Sequence, residues 1–249
     1  MSEVILHERA WVEKVLDTHE LGKHPLETMS RVARYHYDSG YRKSDIIRLI
    51  EEFLIKCDPN VNLVKWQGAI ESIAKSAGKY PLIEIDSIKI TESELEKIHS
   101  LDGKMLQRLM FTLLCYAKYG NAVNPDNNSW VNQESKIIFN MANIVVTTKR
   151  QALMINDLWR NGYIRYSNVI DNVNINVLII DDSSPIAVNI TDFRNIGYQY
   201  SMMQGENFIA CKECGLVIKR SSNHQAYCPT CSVEINRHNA ANNYKSSAS

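Results

Sequence analysis

Apolar residues recur along this chain at two spacings, which predict mostly helices with a few short strands. Helical spacing, with apolar positions three and four residues apart, dominates the N-terminal part and predicts helices over 4–16, 25–37, 44–57 and 61–77. Residues 82–90 alternate between apolar and polar, as in a short edge strand or two. We therefore predict a mainly α fold of the α+β class, with a helical bundle over residues 1–90.

A second predicted domain, residues 91–205, opens on a helix start signal. Thr91 and Glu94 have the spacing of a capping box, in which each of the two side chains accepts a hydrogen bond from the other residue's backbone N–H. The next apolar stripe predicts a helix from Lys104 to Tyr119, and Gly120 is expected to stop it.

Two short strands and a connector complete the expected outline of this domain. Trp130–Val131 is a candidate for a small strand, and Ile186 to Ile190 predicts another. Residues 192–204 are expected to connect the domain to the C-terminal part of the chain.

The stretch from 134 to 180 has the most ordered pattern in the chain. A short helix is predicted over 134–141, and Asn143 suits the left-handed backbone of a tight helix exit. A second helix is predicted from Thr147 to Asn161, and residues 173–179 alternate at the period of a strand. The inward positions of the second helix are Gln151, Met154, Ile155 and Leu158.

Helix, turn, helix and hairpin in this order resemble a winged helix-turn-helix domain. The resemblance implies that the helix Thr147–Asn161 enters the DNA major groove, and that Tyr166–Asn174 is the wing. It implies DNA contacts from the residues around the helix start and the wing strand: Thr148, Lys149, Arg150, Arg165 and Tyr166. The alternative is a winged-helix fold that makes only protein contacts.

Two cations in the first turn of this helix run against its dipole. Lys149 and Arg150 stand where the helix N-terminus disfavours positive charge, so they indicate function more than stability. The same turn favours phosphate, and Arg165 begins the strand that leads to the wing. The alternative is that Lys149 and Arg150 are merely solvated.

Cysteine spacing gives the most specific motif in the chain. Cys211 and Cys214 form one CxxC pair, and Cys228 and Cys231 form another, with 13 residues between the pairs. Two such pairs can hold one tetrahedral ion, so we predict a structural zinc bound by four thiolates. The arrangement over 206–235 resembles a zinc ribbon. A disulfide alternative is disfavoured because no secretion signal precedes the chain.

Composition limits the remaining possibilities. Lys and Arg together number 28, equal to Asp and Glu, so no global basic field is present to drive histone-like coating of DNA. No run of 18 apolar residues occurs, and we expect a cytoplasmic protein with no membrane contact. The polar residues of 236–249 predict a disordered tail.

We find no catalytic motif and predict that the protein is not an enzyme. Glu84 and Asp86 are two residues apart on a strand-like segment and can be read as paired metal-binding carboxylates. A metal-dependent nucleotidyl transferase usually needs a third acidic ligand, and none is evident. Exposed strand carboxylates are the favoured interpretation.

Two functions from different classes remain. Bundle, winged helix and zinc ribbon together resemble DNA-binding accessory proteins of bacterial phages and mobile elements, which implies a role in replication initiation or transcription control. The alternative is a non-enzymatic adaptor or inhibitor that binds a host protein machine, such as a polymerase or the replication machinery, through the ribbon and the bundle. The neutral net charge favours the adaptor, and the cations near the helix start favour DNA.

Overall fold

The computed structural model describes residues 4–168 and 174–247, with side chains as far as residue 239. The chain forms two compact units, Met1–Ser87 and Ile88–Ser249. The division falls just before the predicted domain end at residue 90, because Ile88–Thr91 is a strand that pairs inside the second unit. The fold is mixed, with 54% helix and only small sheets.

The first unit is helical over its described residues. Its helices are α1 Glu8–Thr18, α2 Pro25–Asp38, α3 Lys43–Cys57 and α4 Leu63–Ser76. Pro25 occupies the first turn of α2, as predicted, where its missing N–H costs no helical hydrogen bond. Aliphatic side chains from α2, α3 and α4 form one core: Met29, Ala33, Ile46, Ile50, Leu54, Ile70 and Ala74.

A buried carboxylate ties this bundle to the chain that follows it. Glu8 is 2% exposed, and its Oε1 accepts hydrogen bonds from Arg31 Nε at 3.0 Å and Arg34 Nη2 at 2.8 Å. Its Oε2 accepts the backbone N–H of Ile83 at 2.9 Å. Two cations and one backbone donor offset the cost of burying this charge.

The second unit combines helices with small antiparallel sheets. Its helices are α5 Glu92–His99, α6 Lys104–Val123, α7 Ser135–Met141, α8 Thr148–Arg160, α9 Ile196–Met203 and α10 Pro229–Ser247. Its strands are β1 Ile88–Thr91, β2 Trp130–Val131, β3 Ile164–Tyr166, β4 Ile175–Val177, β5 Ile186–Ile190, β6 Phe208–Ala210 and β7 Val217–Lys219. β1 pairs with β5, β4 lies between β2 and β3, and β6 pairs with β7.

Helix α6 forms the centre of the second unit, and its residues Leu109 to Lys118 are all buried. The prediction that Gly120 ends this helix is wrong, since α6 continues to Val123. A Cβ on Gly120 would lie 2.6 Å from Asn127 Nδ2, so glycine here lets the following loop fold back against the helix. Asn127 then donates a hydrogen bond to the carbonyl of Trp130 and positions β2.

The capping box predicted at Thr91 and Glu94 is confirmed, and Glu94 has further partners. Its fully buried carboxylate accepts the backbone N–H groups of Thr91 at 2.8 Å and Asp181 at 3.0 Å. Lys118 Nζ donates to both carboxylate oxygens, at 2.7 and 2.8 Å, and pairs with Asp182 at 2.9 Å. One carboxylate therefore connects the start of α5, the middle of α6 and the turn before β5.

Helix α9 lies where the sequence predicts only a connector. Its Tyr200 is buried against Phe111 of α6, with ring centroids 5.0 Å apart, and Ile196 is fully buried. A Cβ on Gly197 would lie 1.9 Å from the carbonyl oxygen of Ala142, in the turn after α7. Ile196 and Tyr200 are one helical turn apart, and two apolar positions are too few to predict a helix. Their burial and the close contact at Gly197 hold α9 in the core.

The tail that composition predicts to be disordered is instead helical as far as Ser247, as a continuation of α10. Once a helix has begun at Pro229, each further residue adds a hydrogen bond without a new nucleation cost. The apex of the predicted wing, residues 169–173, lies outside the described residues. Among the described helices, none has both the length and the apolarity needed to cross a membrane.

Candidate metal centre and nucleic-acid interface

Four cysteine sulfurs lie together near the start of α10. The Sγ atoms of Cys211, Cys214, Cys228 and Cys231 all lie within 4.8 Å of one another, so the predicted ligand set is brought together completely. Metal–sulfur bonds of about 2.3 Å in a tetrahedron require sulfurs about 3.8 Å apart. The Cys214 and Cys228 sulfurs are 3.8 Å apart. Spacing and donor chemistry therefore fit a four-coordinate metal ion.

Backbone geometry holds the sulfurs in this arrangement. Gly215 has φ +73, a left-handed conformation that glycine adopts at little cost, and its N–H donates to the Cys211 carbonyl at 2.9 Å. The Cys228 N–H donates to Cys211 Sγ at 3.2 Å, and the Cys231 N–H donates to Cys228 Sγ at 3.5 Å. Such N–H donors favour the thiolate form that binds a metal.

Two of the four thiols have strongly shifted pKa values, in opposite directions. Burial acts to raise the pKa of Cys211, but the N–H groups of Cys214, Cys228 and Glu213 outweigh it and lower that pKa to about 6. The pKa of Cys231 is raised far above its usual value, first by its hydrogen bond to the Cys228 sulfur and then by burial. Four thiolates this close repel one another, so full ionisation requires a positive ion among them.

Residues just before α9 attach the cysteine module, defined here as residues 206–235, to the rest of the unit. Arg194 Nη2 donates to the Cys214 carbonyl at 2.6 Å, and the same guanidinium pairs with Asp192 at 2.6 Å. Asn195 Nδ2 donates to the carbonyl of Val217 at 2.9 Å. Sequence reasoning missed Arg194, because a charged residue in a predicted connector gives no local sign of a long-range contact.

Helix α8 buries one face and exposes its first turn. Met154, Ile155 and Leu158 are buried, as the helical stripe predicts, whereas the fourth predicted inward position, Gln151, is only half-buried. Thr147 caps the helix, since its side chain accepts the N–H of Arg150 at 3.3 Å. Lys149 is exposed together with Thr148 and Arg150, and within the described part of the chain the side chains of Lys149 and Arg150 have no ion pair or hydrogen bond.

Arg165 lies on β3 and is held across the small sheet. Its Nε donates to the Asn176 side chain at 3.0 Å, and its guanidinium carbon lies 5.7 Å from the centre of the Trp130 ring. Asn176 is itself buried and donates to the carbonyl of Asn128 at 2.6 Å. The guanidinium is therefore oriented by the sheet, while the side chain remains exposed to solvent.

Tyr166 lies away from the start of α8. Its ring packs on Trp159, with centroids 6.2 Å apart, and Trp159 lies in the last turn of the helix. Eleven residues of helix separate Thr148 from Trp159, which is about 16 Å along the axis. The structure therefore groups Thr148, Lys149 and Arg150, but it does not bring Tyr166 to them.

The turn between α7 and α8 has the predicted backbone. Asn143 has φ +54, in the left-handed region expected there. Its side chain donates to Asn195 Oδ1 at 3.1 Å and accepts the N–H of Tyr198 at 3.1 Å. This turn is therefore fastened to α9, and through Asn195 to the cysteine module.

Among the described residues, no third His, Cys, Asp or Glu side chain joins the acidic pair of the strand-like segment to form a metal site. Glu84 and Asp86 are both exposed, and Glu84 accepts the backbone N–H of Arg9 at 2.7 Å. Over residues 4–168 and 174–239, the four cysteines are the one group of His, Cys, Asp or Glu side chains arranged to hold an ion.

Comparison with protein-family models, with curated proteins and with solved structures yields no match to this chain.

Proposed function

We propose that this protein binds duplex DNA through a winged helix-turn-helix, and that its cysteine module is a zinc ribbon beside it. Lys149 and Arg150 carry the proposal. Both lie exposed in the first turn of α8, and neither has an ionic partner among the described residues. The opposite face of the same helix is buried, so α8 can present this turn to a ligand without losing its packing.

The order of elements supports the winged-helix assignment. The strand β2 lies between α6 and α7, and β3 and β4 follow α8 directly. β4 then lies between β2 and β3, so the hairpin after α8 is completed by the strand before α7. A hairpin connected in this way extends from one side of the second helix, which is the position of a wing.

In the proposed contact, charged side chains bind the DNA phosphates, and base recognition contributes less to the affinity. Lys149 and Arg150 neutralise phosphates at the groove edge, where the α8 N-terminus also offers backbone N–H groups. Arg165 keeps free N–H donors for the neighbouring phosphate, because Asn176 takes only its Nε. Thr148 lies in the same turn, and Tyr166 contacts DNA only where the duplex follows α8 to its far end.

Zinc is the metal that the cysteine module suits best. Four thiolates form a closed tetrahedral shell, which zinc accepts without redox chemistry or a preferred distortion. No coordination position is left for a substrate, so the ion stabilises the fold and does not catalyse a reaction. Control of replication initiation or transcription in a phage or mobile element is the role we propose for such a DNA-binding chain.

DNA titrations over a series of salt concentrations test this proposal. Lys149→Ala and Arg150→Ala should each lower the dependence of log K on log salt by about one unit, because one phosphate contact is lost. Arg160→Ala is the matched control, since it removes the same charge from the exposed last turn of the same helix. The proposal would be overturned if all three variants had the same salt dependence of DNA binding. It would also be overturned if the parent protein showed no salt-sensitive DNA binding.

Exposed apolar side chains beside the same turn favour a second candidate, a protein-binding adaptor. Val145 is fully exposed just before α8, and Leu153 on α8 is 46% exposed. Together with the neutral net charge, they suit a protein partner such as a polymerase or another component of the replication machinery. Under this function Leu153→Asp abolishes partner binding while Arg150→Ala leaves it unchanged, as measured by titration against purified candidate partners.

A further inference from the structure

A cavity of about 520 Å³ lies between the start of α6, helix α9 and the β6–β7 hairpin. Its size falls within the range of about 300–1,000 Å³ that is usual for small-molecule sites. Three cations line it, Lys104, Arg108 and Lys219, against one carboxylate, Glu206. The positive excess selects an anionic ligand.

Arg108 is the least exposed of the three cations that line the cavity. Its Nε atom is buried and has no hydrogen-bond partner among the described residues. Buried donors are almost always paired, because leaving one unpaired costs its hydration. Because this Nε has almost no accessible surface, an anion in the cavity would bind the guanidinium through its other N–H groups, which have no partner among the described residues. Lys104 lies one helical turn before Arg108 on the same side of α6, so both can reach one ligand.

The carboxylate in the cavity only partly offsets these cations. Glu206 pairs with Lys104 at 2.9 Å, but the Lys104 side chain is 76% exposed and solvent screens this pair. Lys219 is exposed on β7 and makes no hydrogen bond or ion pair in the described part of the chain. Arg108 and Lys219 are therefore the two cations available to a ligand.

Two aromatic rings form the apolar part of the lining. Tyr198 of α9 and Phe208 of β6 lie with ring centroids 4.7 Å apart and planes inclined by 37°. Aromatic rings beside a basic site are the usual surface on which a nucleobase stacks. Cations and rings in one cavity together match a ligand that carries both a phosphate and a flat ring.

We propose that this cavity binds a nucleotide, with its phosphate on Arg108 and Lys219 and its base against Tyr198 and Phe208. The nucleotide is either free or part of a single nucleic-acid strand, and the second source rests on the proposed DNA-binding function. A phosphate here meets the remaining N–H groups of Arg108 and the unpaired charge of Lys219.

Calorimetric titration of the metal-loaded 249-residue chain tests the site, with thymidine 5′-monophosphate and a short oligothymidylate as probes. Lys219→Glu should weaken the binding of at least one probe by about tenfold or more, because a charged hydrogen bond is replaced by repulsion. Lys212→Glu is the matched control, since it makes the same charge change at an exposed position of the same module, outside the cavity. Its affinity should stay within about twofold of the parent.

Glu206→Gln should act in the opposite direction and tighten binding, because it removes the carboxylate that competes for Lys104. If these residues were purely structural, Lys219→Glu and Glu206→Gln would not change the probe affinity in opposite directions. Equal affinity for both probes identifies a free nucleotide, and tighter oligothymidylate binding identifies a strand. Binding of neither probe, or equal effects of Lys219→Glu and Lys212→Glu, would overturn the proposal.

The test separates this site from the proposed duplex contact at α8. The double variant Lys149→Ala, Arg150→Ala should leave the titration with thymidine 5′-monophosphate unchanged, because those residues lie outside the cavity. If duplex binding is absent while nucleotide binding depends on Lys219, the proposed function fails and the cavity assignment stands. If duplex binding depends on Arg150 while neither probe binds, the cavity assignment fails alone.

Discussion

The cysteine module and the segment around α6 belong to one compact unit but are stabilised in opposite ways. The buried cluster of the module consists of Cys211, Cys228 and Cys231 with a few partly buried apolar neighbours, and Val217 is its one further buried apolar residue among those described. Helix α6 instead buries Leu109 to Lys118 without a break. With the proposed metal bound, stability in the module would be concentrated in four sulfur atoms, whereas around α6 it is distributed over many apolar contacts. Single changes should consequently be all-or-none in one region and graded in the other.

The largest effect is expected from the metal ligands. Cys228→Ser, or removal of the ion by a chelator, should unfold the module, since the binding free energy of a structural zinc is about 10–16 kcal/mol. Elemental analysis should return one zinc per parent chain and a large loss in the variant. Helical circular dichroism from the rest of the chain should persist, because α6 packs through apolar contacts.

Cys57→Ser is the control for this change, because Cys57 is half-buried on α3 and lies outside the cluster. It should keep the parent's metal content. If Cys228→Ser kept its full metal content, the stability of the module would not depend on all four sulfurs.

Glu94 is the position around α6 where a single residue should approach the importance of a metal ligand. Glu94→Gln leaves the Lys118 ammonium, 8% exposed, with the solvent-exposed Asp182 as its remaining carboxylate among the described residues. Breaking a buried pair costs about 3–5 kcal/mol. Urea unfolding measures the loss. The comparison is Glu52→Gln, which breaks the exposed pair with Arg48 and should cost at most about 0.5 kcal/mol. Similar costs for the two variants would show that the Glu94 contacts add little.

An apolar truncation should give the graded response. Leu158 on α8 is fully buried, and Leu158→Ala should cost about 2–5 kcal/mol through the cavity it leaves. Leu153→Ala on the same helix should cost less than about 1 kcal/mol, because Leu153 is already 46% exposed. Both variants should keep their zinc. Loss of metal in Leu158→Ala would mean that the two regions do not unfold independently.

The smallest effect concerns acid pH. The Ser183 hydroxyl, followed by that of Ser93, lowers the pKa of Asp181 to about 2 from its usual 3.8. A carboxylate with a lowered pKa stabilises the fold above pH 3.8, and this contribution is lost as the pH falls to about 2. The contribution is small because the carboxyl is only half-buried and solvent screens it. Carbon-13 titration of the Asp181 carboxyl should give the low value, and Ser93→Ala should raise it towards 3.8.

Features with local causes could be predicted from the sequence. The capping box at Thr91 and Glu94, the left-handed exit at Asn143 and the buried stripe of α8 each depend on residues within about one or two helical turns. The cysteine cluster belongs with them, because each pair has a spacing that only a few kinds of site require.

Features with distant causes could not be predicted. Lys118 meets Glu94 across 24 residues of sequence, and nothing at either position indicates the other. Gly120 also depends on a distant contact. The helix continues past this glycine because Asn127, in the loop that follows, packs against it. The grouping of Tyr166 with the start of α8 failed because strand alternation directs its ring to Trp159, beside the far end of the helix.

Gly197 also sets the geometry available to a bivalent ligand. Without a side chain, it lets α9 contact the backbone of Ala142, so the turn before α8 and the strand carrying Lys219 are joined through a short, stiff link. A nucleic acid that touches both surfaces makes its second contact as an intramolecular step, at an effective concentration set by this fixed spacing and not by a flexible linker. Two weak contacts can then give a high overall affinity. This holds only for a ligand whose length matches the distance between the two surfaces.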